Sequence, residues 1–292
     1  MKFDNYLFRC SSLGKLMVGL NPPLTPNQEK ELARLQDLQC QGKITEKQTI
    51  TLGELLAKKH TKNDLSKTSI NYLNDLYKQE FFSRNKAIST KYTDKGIQCE
   101  ENSISLYTDT QKILLHKNKQ RFKNKHFTGE PDNIKGKIRD MKTSWDFTTF
   151  PIFDNEIPNK DYYWQLQGYM DLTNTQEAEL IYCLVDTPIK MVEDELRRLD
   201  WKAHLFDING NAIEKKIPLI VETVSNLIYT WENLEKFCQQ SDFVHLDWFE
   251  DFKEISPEHR IKIFEVKRDD KDIELMKKQV IKAREYLNSL TA

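Results

Sequence analysis

Residues 129–142 read GEPDNIKGKIRDMK, in which two short extended runs lie on either side of a Lys-Gly-Lys turn. Such a pattern is typical of a tight hairpin. If the three residues of the turn form the loop, Ile134 lies opposite Ile138 and Asp132 lies opposite Asp140. The stretch therefore predicts two carboxylates that face each other across paired strands.

Lys142 follows Asp140 by two residues, so both side chains point to the same face of a strand. Facing carboxylates repel each other unless a cation lies between them, and Mg²⁺ or Mn²⁺ prefers such oxygen ligands. An ion held by Asp140 acidifies a bound water, and a nearby ammonium orients the hydroxide or offsets charge on phosphorus. Met141 is expected to face the core and to lend its backbone carbonyl to the metal.

Two further pairs of residues lie one helical turn apart. Gly96 and Glu100 fall on one face of an amphipathic segment over 94–107, where Glu100 would complete the metal site and Gly96 would permit close packing. Gln165 and Tyr169 form a second pair, whose amide and phenol suit a nucleophile or a phosphate oxygen. Each motif also has an ordinary structural interpretation, namely a surface glutamate and an amphipathic core helix.

The bulk composition indicates a globular protein, with 38% hydrophobic and 30% charged residues and a net charge of -1. Between Lys112 and Lys142, however, ten Lys or Arg stand against three acids, which predicts one basic face. Five scattered cysteines indicate free thiols in a reducing cytoplasm rather than a zinc site. No apolar run has the length of a bilayer, so neither a membrane span nor a signal peptide is expected.

The order of predicted elements indicates an α/β fold, with a small mixed central sheet flanked by helices. Three helices begin near Thr25, Thr45 and Ser66, and strands are predicted at 179–185 and 261–266. We expect one domain with four parts: a helical region over 1–90, a core over 91–186, a helical insertion over 187–242, and a final strand and helix over 243–292.

Taken together, these motifs resemble the PD-(D/E)XK nucleases, and within them the RecB-like and lambda-exonuclease-like (YqaJ-type) phage recombination enzymes. The matching elements follow the family's order and are Gly96 to Glu100, Pro131-Asp132, Asp140-Met141-Lys142-Thr143 and Gln165 to Tyr169. The gap between the two aspartates is short for the family, and the 187–240 stretch has no counterpart in it. The fold implied is a restriction-endonuclease-like core.

The resemblance also implies roles for particular residues. Asp132, Asp140 and Glu100 would bind metal, as two ions in the family's manner. Lys142 would assist the attacking water, and Gln165 with Tyr169 would support the site. Arg9, Ser11 and Ser12 resemble the segment with which such exonucleases hold a terminal 5′-phosphate, although they also fit a polar N-cap. From the basic stretch we expect further DNA contacts by Lys135, Lys137 and Arg139.

The function expected from the resemblance is Mg²⁺-dependent 5′-to-3′ digestion of double-stranded DNA ends in single-strand annealing recombination, in a bacterial or phage-infected cytoplasm. The resemblance also implies a single-strand annealing protein as a partner and assembly of the chain into a toroidal homotrimer. Two alternatives remain open at this point. One is an endonuclease of the restriction or structure-specific type, and the other is a DNA-end-binding protein that keeps the fold without turnover.

Overall fold

A computed structural model describes residues 2–20, 24–60, 64–86 and 89–291 of the protein. Within these ranges the strands are β1 (Phe8–Arg9), β2 (Phe122–Lys123), β3 (Phe127–Gly129), β4 (Ile138–Thr143), β5 (Glu177–Cys183) and β6 (Ile261–Lys267). The α-helices are α1 (Gly14–Met17), α2 (Pro26–Cys40), α3 (Glu46–His60), α4 (Lys67–Phe82), α5 (Lys91–Gln98), α6 (Glu100–Gln111), α7 (Lys160–Thr173), α8 (Ile189–Ala203), α9 (Ile217–Ser225), α10 (Trp231–Gln240) and α11 (Asp270–Ser289).

The amino-terminal helices begin where their capping residues predicted. Thr25 and Gln28 form a reciprocal capping box at α2, with proline at the first helical position. The Ser66 side chain accepts a hydrogen bond from the Ser69 amide at the start of α4. Leucines of α2 and α3 form an apolar cluster of their own, so these helices pack as a hairpin.

One sequence prediction is corrected at the 94–107 segment, which forms two helices rather than one. The chain breaks at Cys99, which ends α5 and precedes α6. Gly96 and Glu100 therefore do not share one continuous helix. A Cβ on Gly96 would contact nothing within 4 Å, so this glycine does not serve close packing. Glu100 instead begins α6, where the helix dipole favours an acidic side chain.

Among the described residues, two three-stranded mixed sheets form the centre of the molecule, which agrees with the predicted α/β fold. In one, β3 lies between β1, to which it is parallel, and β2. In the other sheet, β5 lies between β4 and β6. It is parallel to β4 and antiparallel to β6, and α7 connects β4 to β5. This arrangement places β4 at an edge, where residues 130–134 approach it.

Alternate residues of the second sheet bury two different faces. Ile138 and Leu180 point into the main core, which α1, α4, α7 and α11 cover. Met141 and Ile181 point to the opposite face, which α5 and α6 cover. Side chains of a strand alternate between its two faces, so Asp140 and Lys142 lie on the same face as Ile138, which is the α7 side of the sheet.

The helical stretch predicted after β5 is present and comprises α8, α9 and α10. These helices have their own apolar cluster, which includes Val192, Ile220 and Phe237, and Trp145 from the core reaches into it. Asp186 attaches α10 to the end of β5 by accepting hydrogen bonds from the Thr230 hydroxyl and the Asn233 amide. Within the described ranges, no helix combines the length and the apolar character needed to cross a bilayer.

Candidate active site

The two predicted carboxylates meet at the start of β4. The backbone groups of Asn133 and Arg139 form reciprocal hydrogen bonds of 3.1 and 2.9 Å, which places Asp132 opposite Asp140 in the predicted register. Only this single bridge forms, so 130–134 is not a strand as the hairpin prediction assumed. Asp132 Oδ2 accepts a hydrogen bond of 2.7 Å from the Met141 amide, which holds the carboxylate against β4.

The Lys142 ammonium forms an ion pair with Asp140 Oδ2 and lies on the face predicted for it. Its Nζ atom also lies 4.6 Å from the centre of the Tyr162 ring, in cation–π geometry. Burial opposes the charged form of Lys142, but the Asp140 carboxylate outweighs that effect and raises the pKa of the lysine. Lys142 is therefore held as a cation beside the carboxylate pair.

Of the three predicted metal-binding carboxylates, Asp132 is the one whose negative charge is least balanced by a neighbouring cation. Burial, together with the charge of Asp140, raises the pKa of Asp132 to about 7, and the Lys142 cation only partly offsets this. The hydrogen bond that its Oδ2 atom accepts comes from the Met141 backbone amide rather than from a cation. The pair thus concentrates negative charge in a place where a divalent ion would relieve it.

Gln165 and Tyr169 lie one turn apart on α7 and reach the site as the sequence predicted. The Gln165 amide donates to Asp140 Oδ1 at 3.1 Å and to the Tyr169 hydroxyl at 2.9 Å. Tyr169 in turn donates to the carbonyl of Glu130 at 3.4 Å. The helix comes this close because of Gly129, where a Cβ would lie 2.5 Å from the Tyr169 ring. Gln165 therefore orients Asp140, and Tyr169 orients Gln165.

A cavity of about 240 Å³ adjoins Asp132, and Glu100 lines it together with Arg9, Ser11 and Tyr169. Glu100 is thus brought to the same cavity as Asp132, but its carboxylate pairs with Lys117 at 2.7 Å. Among the described residues, no three His, Cys, Asp or Glu side chains form a cluster that could hold a metal by themselves. A larger cavity of about 600 Å³ lies along β6 and is lined by none of the predicted site residues.

The residues present fit a hard divalent ion without a complete side-chain cage. Mg²⁺ is commonly held by one or two carboxylates, with water and substrate phosphate as its other ligands. Asp132 and Asp140 supply two carboxylates. The backbone amide and carbonyl of Arg139 point towards Asn133. Backbone groups two residues apart in a strand point to the same edge, so the carbonyl of Met141 also points to this edge of β4. These three groups are the donor set that would hold the ion.

The predicted DNA contacts divide into two groups. Arg9 and Ser11 line the cavity, because β1 lies parallel to β3 and ends beside it. Ser12 is partly buried and lies beside Tyr72 instead. Lys135, Lys137 and Arg139, the other three predicted contacts, do not line the cavity.

Lys135 donates to the carbonyl of Leu114. Lys137 and Arg139 form ion pairs of 2.6 and 3.0 Å with Glu179. Arg139 is only 9% exposed, so its guanidinium is committed to the interior. The geometry thus favours a structural role for Lys137 and Arg139 over the DNA contact predicted for them.

Sequence reasoning did not single out three residues that border the site. Tyr162 lies three residues before Gln165 on α7, a helical spacing that could have indicated it. Lys117 and Arg121 line the cavity and belong to the basic stretch that the charge pattern did identify. Their position could not be read from the sequence, because both come from the irregular segment between α6 and β2.

No protein-family model and no curated protein matches the sequence. Among solved structures, a phage-related exonuclease from Haemophilus somnus 129PT is 23% identical, with a TM-score of 0.59 over 97% of this chain and 94% of that one. LHK-Exo, an alkaline exonuclease from Laribacter hongkongensis solved in complex with dAMP, is 10% identical, with a TM-score of 0.50 over 97% and 88%. The chain therefore has the fold of these phage-type exonucleases, as its resemblance to the lambda-exonuclease-like PD-(D/E)XK nucleases predicted.

Proposed function

We propose that the protein is a metal-dependent DNA exonuclease that hydrolyses phosphodiester bonds. The observation that carries this proposal is the facing pair Asp132 and Asp140 on one side of β4, with the Lys142 ammonium against it. The structural similarity to the phage-related exonuclease supports the same activity.

In this mechanism Asp132, Asp140 and the carbonyl of Met141 would hold Mg²⁺ or Mn²⁺, and Glu100, which lines the same cavity as Asp132, would contribute to the same metal centre. When bound, such an ion supplies an acidified water and offsets charge on the phosphate. Gln165 fixes the orientation of Asp140, and Tyr169 fixes Gln165. The Lys142 ammonium would offset the negative charge that develops on the phosphate oxygens in the transition state.

Arg9 and Ser11, which line the same cavity as Asp132, would bind a backbone or terminal phosphate. Both are exposed and line its wall, and an arginine can bind phosphate through two hydrogen bonds. We propose 5′-to-3′ polarity on duplex ends because of this placement and because of the resemblance. A role in single-strand annealing recombination, an annealing-protein partner and a trimeric assembly rest on the resemblance alone.

Digestion of linear duplexes labelled at either end, with and without a 5′-phosphate, tests the proposal directly. We expect loss of the 5′ label first in Mg²⁺, slower loss without the phosphate, and no digestion in a chelator. Release of the 3′ label first would contradict the polarity. Cleavage of a covalently closed circle would identify an endonuclease, and binding without cutting in Mg²⁺ would favour a DNA-end-binding protein.

A further inference from the structure

Lys117 stands out among the cations of the cavity because it contacts one of the proposed metal-binding residues. Its Nζ atom lies 2.7 Å from Glu100 Oε2, and both side chains are partly exposed, at 41% and 28%. Arg121, which lines the same cavity, pairs instead with Glu130 at 3.0 Å. Lys117 is therefore the lysine that neutralises Glu100.

The segment that carries Lys117 is fixed to the segment that carries Asp132. The Asn118 amide donates to the carbonyl of Asp132 at 2.7 Å, and the Asn118 side chain donates to that of Pro131 at 3.0 Å. One residue before Lys117, the carbonyl of His116 accepts from the Asn133 side chain at 2.8 Å. The backbone on both sides of Lys117 is thus held, so its approach to Glu100 is built into the fold.

The three acids of the site consequently differ in their partners. Glu100 pairs with Lys117 and Asp140 pairs with Lys142, whereas the hydrogen bond of Asp132 comes from a backbone amide. A carboxylate in an ion pair must give up that partner, or share it, before it can coordinate a metal. We propose that Lys117 is an internal counter-ion that competes with a divalent ion for Glu100 and so sets the metal affinity of the site.

This inference rests on the proposed function, because it assumes that a divalent ion binds at Asp132 and Asp140. It predicts that Lys117 weakens metal binding in two ways. One is the general repulsion between two cations, which any positive side chain in the cavity exerts. The other is specific to Lys117, because it occupies the carboxylate that would otherwise reach the ion. The two contributions can be separated, since Arg121 exerts only the first.

The test is calorimetric titration of the DNA-free protein with Mn²⁺, which measures binding without any turnover. We expect Lys117→Met to bind Mn²⁺ about fivefold or more tightly than Arg121→Met, although each substitution removes one positive charge from the same cavity. Glu100→Gln should weaken binding more strongly in the Lys117→Met background than in the wild type, because Glu100 is then free to coordinate. Thermal melting confirms that each variant is folded.

Equal affinities of Lys117→Met and Arg121→Met would overturn the proposal, as would the same effect of Glu100→Gln in both backgrounds. In that case the proposed nuclease function stands, provided that the wild type binds Mn²⁺ and Asp140→Asn abolishes this binding. If no variant binds Mn²⁺ and none cuts DNA in its presence, the proposed function fails and the role of Lys117 fails with it.

Discussion

The two faces of β4 carry charged residues of opposite character. On one face, Arg139 lies directly across from Glu179 of β5, which also receives hydrogen bonds from Lys137 and Tyr107. On the other face, Asp140 lies across from the apolar Leu180 and beside a second carboxylate. The first group compensates its own charge within the fold, whereas the second does not.

This contrast appears in the ionisation of the acids. Burial opposes ionisation of Glu179, yet its hydrogen bonds from Lys137 and Tyr107 lower its pKa below the ordinary value. Burial and the neighbouring Asp140 instead raise the pKa of Asp132 to about 7. Around β4, compensated charges indicate a structural network, and uncompensated charges indicate a place for a ligand.

Asp140→Asn should lower Mg²⁺-dependent digestion of linear duplex by about a thousandfold, because it removes a metal-binding charge worth several kcal/mol in the transition state. The fold should survive, since the asparagine still accepts the hydrogen bond from Gln165. The measurements are initial rates and thermal melting of the same preparation. Digestion at more than a tenth of the wild-type rate would exclude Asp140 from the reaction.

Glu179→Gln should act on the opposite face and lower the free energy of unfolding by about 3 kcal/mol, because it leaves buried cations without their partner. Denaturant unfolding measures this loss. The pKa of Glu179 is lower in the folded protein than in the unfolded chain. The ionised Glu179 therefore stabilises the fold at pH values above its unfolded pKa, and this stabilisation is lost in acid. The difference in unfolding free energy between wild type and variant should shrink as pH falls. Glu265→Gln, at the exposed cross-strand position on β6, is the control and should change stability little.

Asp132→Asn should stabilise the metal-free protein and raise its melting temperature by a few degrees, about 2–4 °C for each kcal/mol. The folded pKa lies above the ordinary value of about 4, so ionising Asp132 costs stability as pH rises from about 4 to about 7. In melting curves recorded with a chelator, the increase in melting temperature should therefore be absent near pH 4 and complete above pH 7. Asp242→Asn, an exposed control, should show no such pH dependence.

Tyr162→Leu should lower the rate of digestion about fivefold, because the ring that positions the Lys142 ammonium is lost. Tyr162→Phe keeps the ring and should restore most of the rate. The pH–rate profile distinguishes positioning from a general structural defect, since only a change around Lys142 shifts its alkaline limb. An unchanged profile in the leucine variant would assign Tyr162 to packing alone.

Local pattern alone predicted the part of the site that lies within one strand and one helix. The alternation of side chains puts Asp140 and Lys142 on one face of β4. The helical repeat puts Gln165 and Tyr169 on one face of α7. The turn at 135–137 set the register that brings Asp132 to Asp140. The caps at Thr25 and Ser66 set the helix starts. Each of these depends on residues close together in the sequence, so the sequence by itself determined them.

Contacts between distant segments were decided only by the tertiary structure. Lys117 pairs with Glu100 across the end of α6, and Arg139 pairs with Glu179 on the next strand, which turned a predicted DNA contact into an internal ion pair. Tyr162 lies beneath Lys142 although twenty positions separate them. Periodicity fixes which way a side chain points, but its partner depends on which segment packs against that face, and this is settled by burial and close packing of the whole chain.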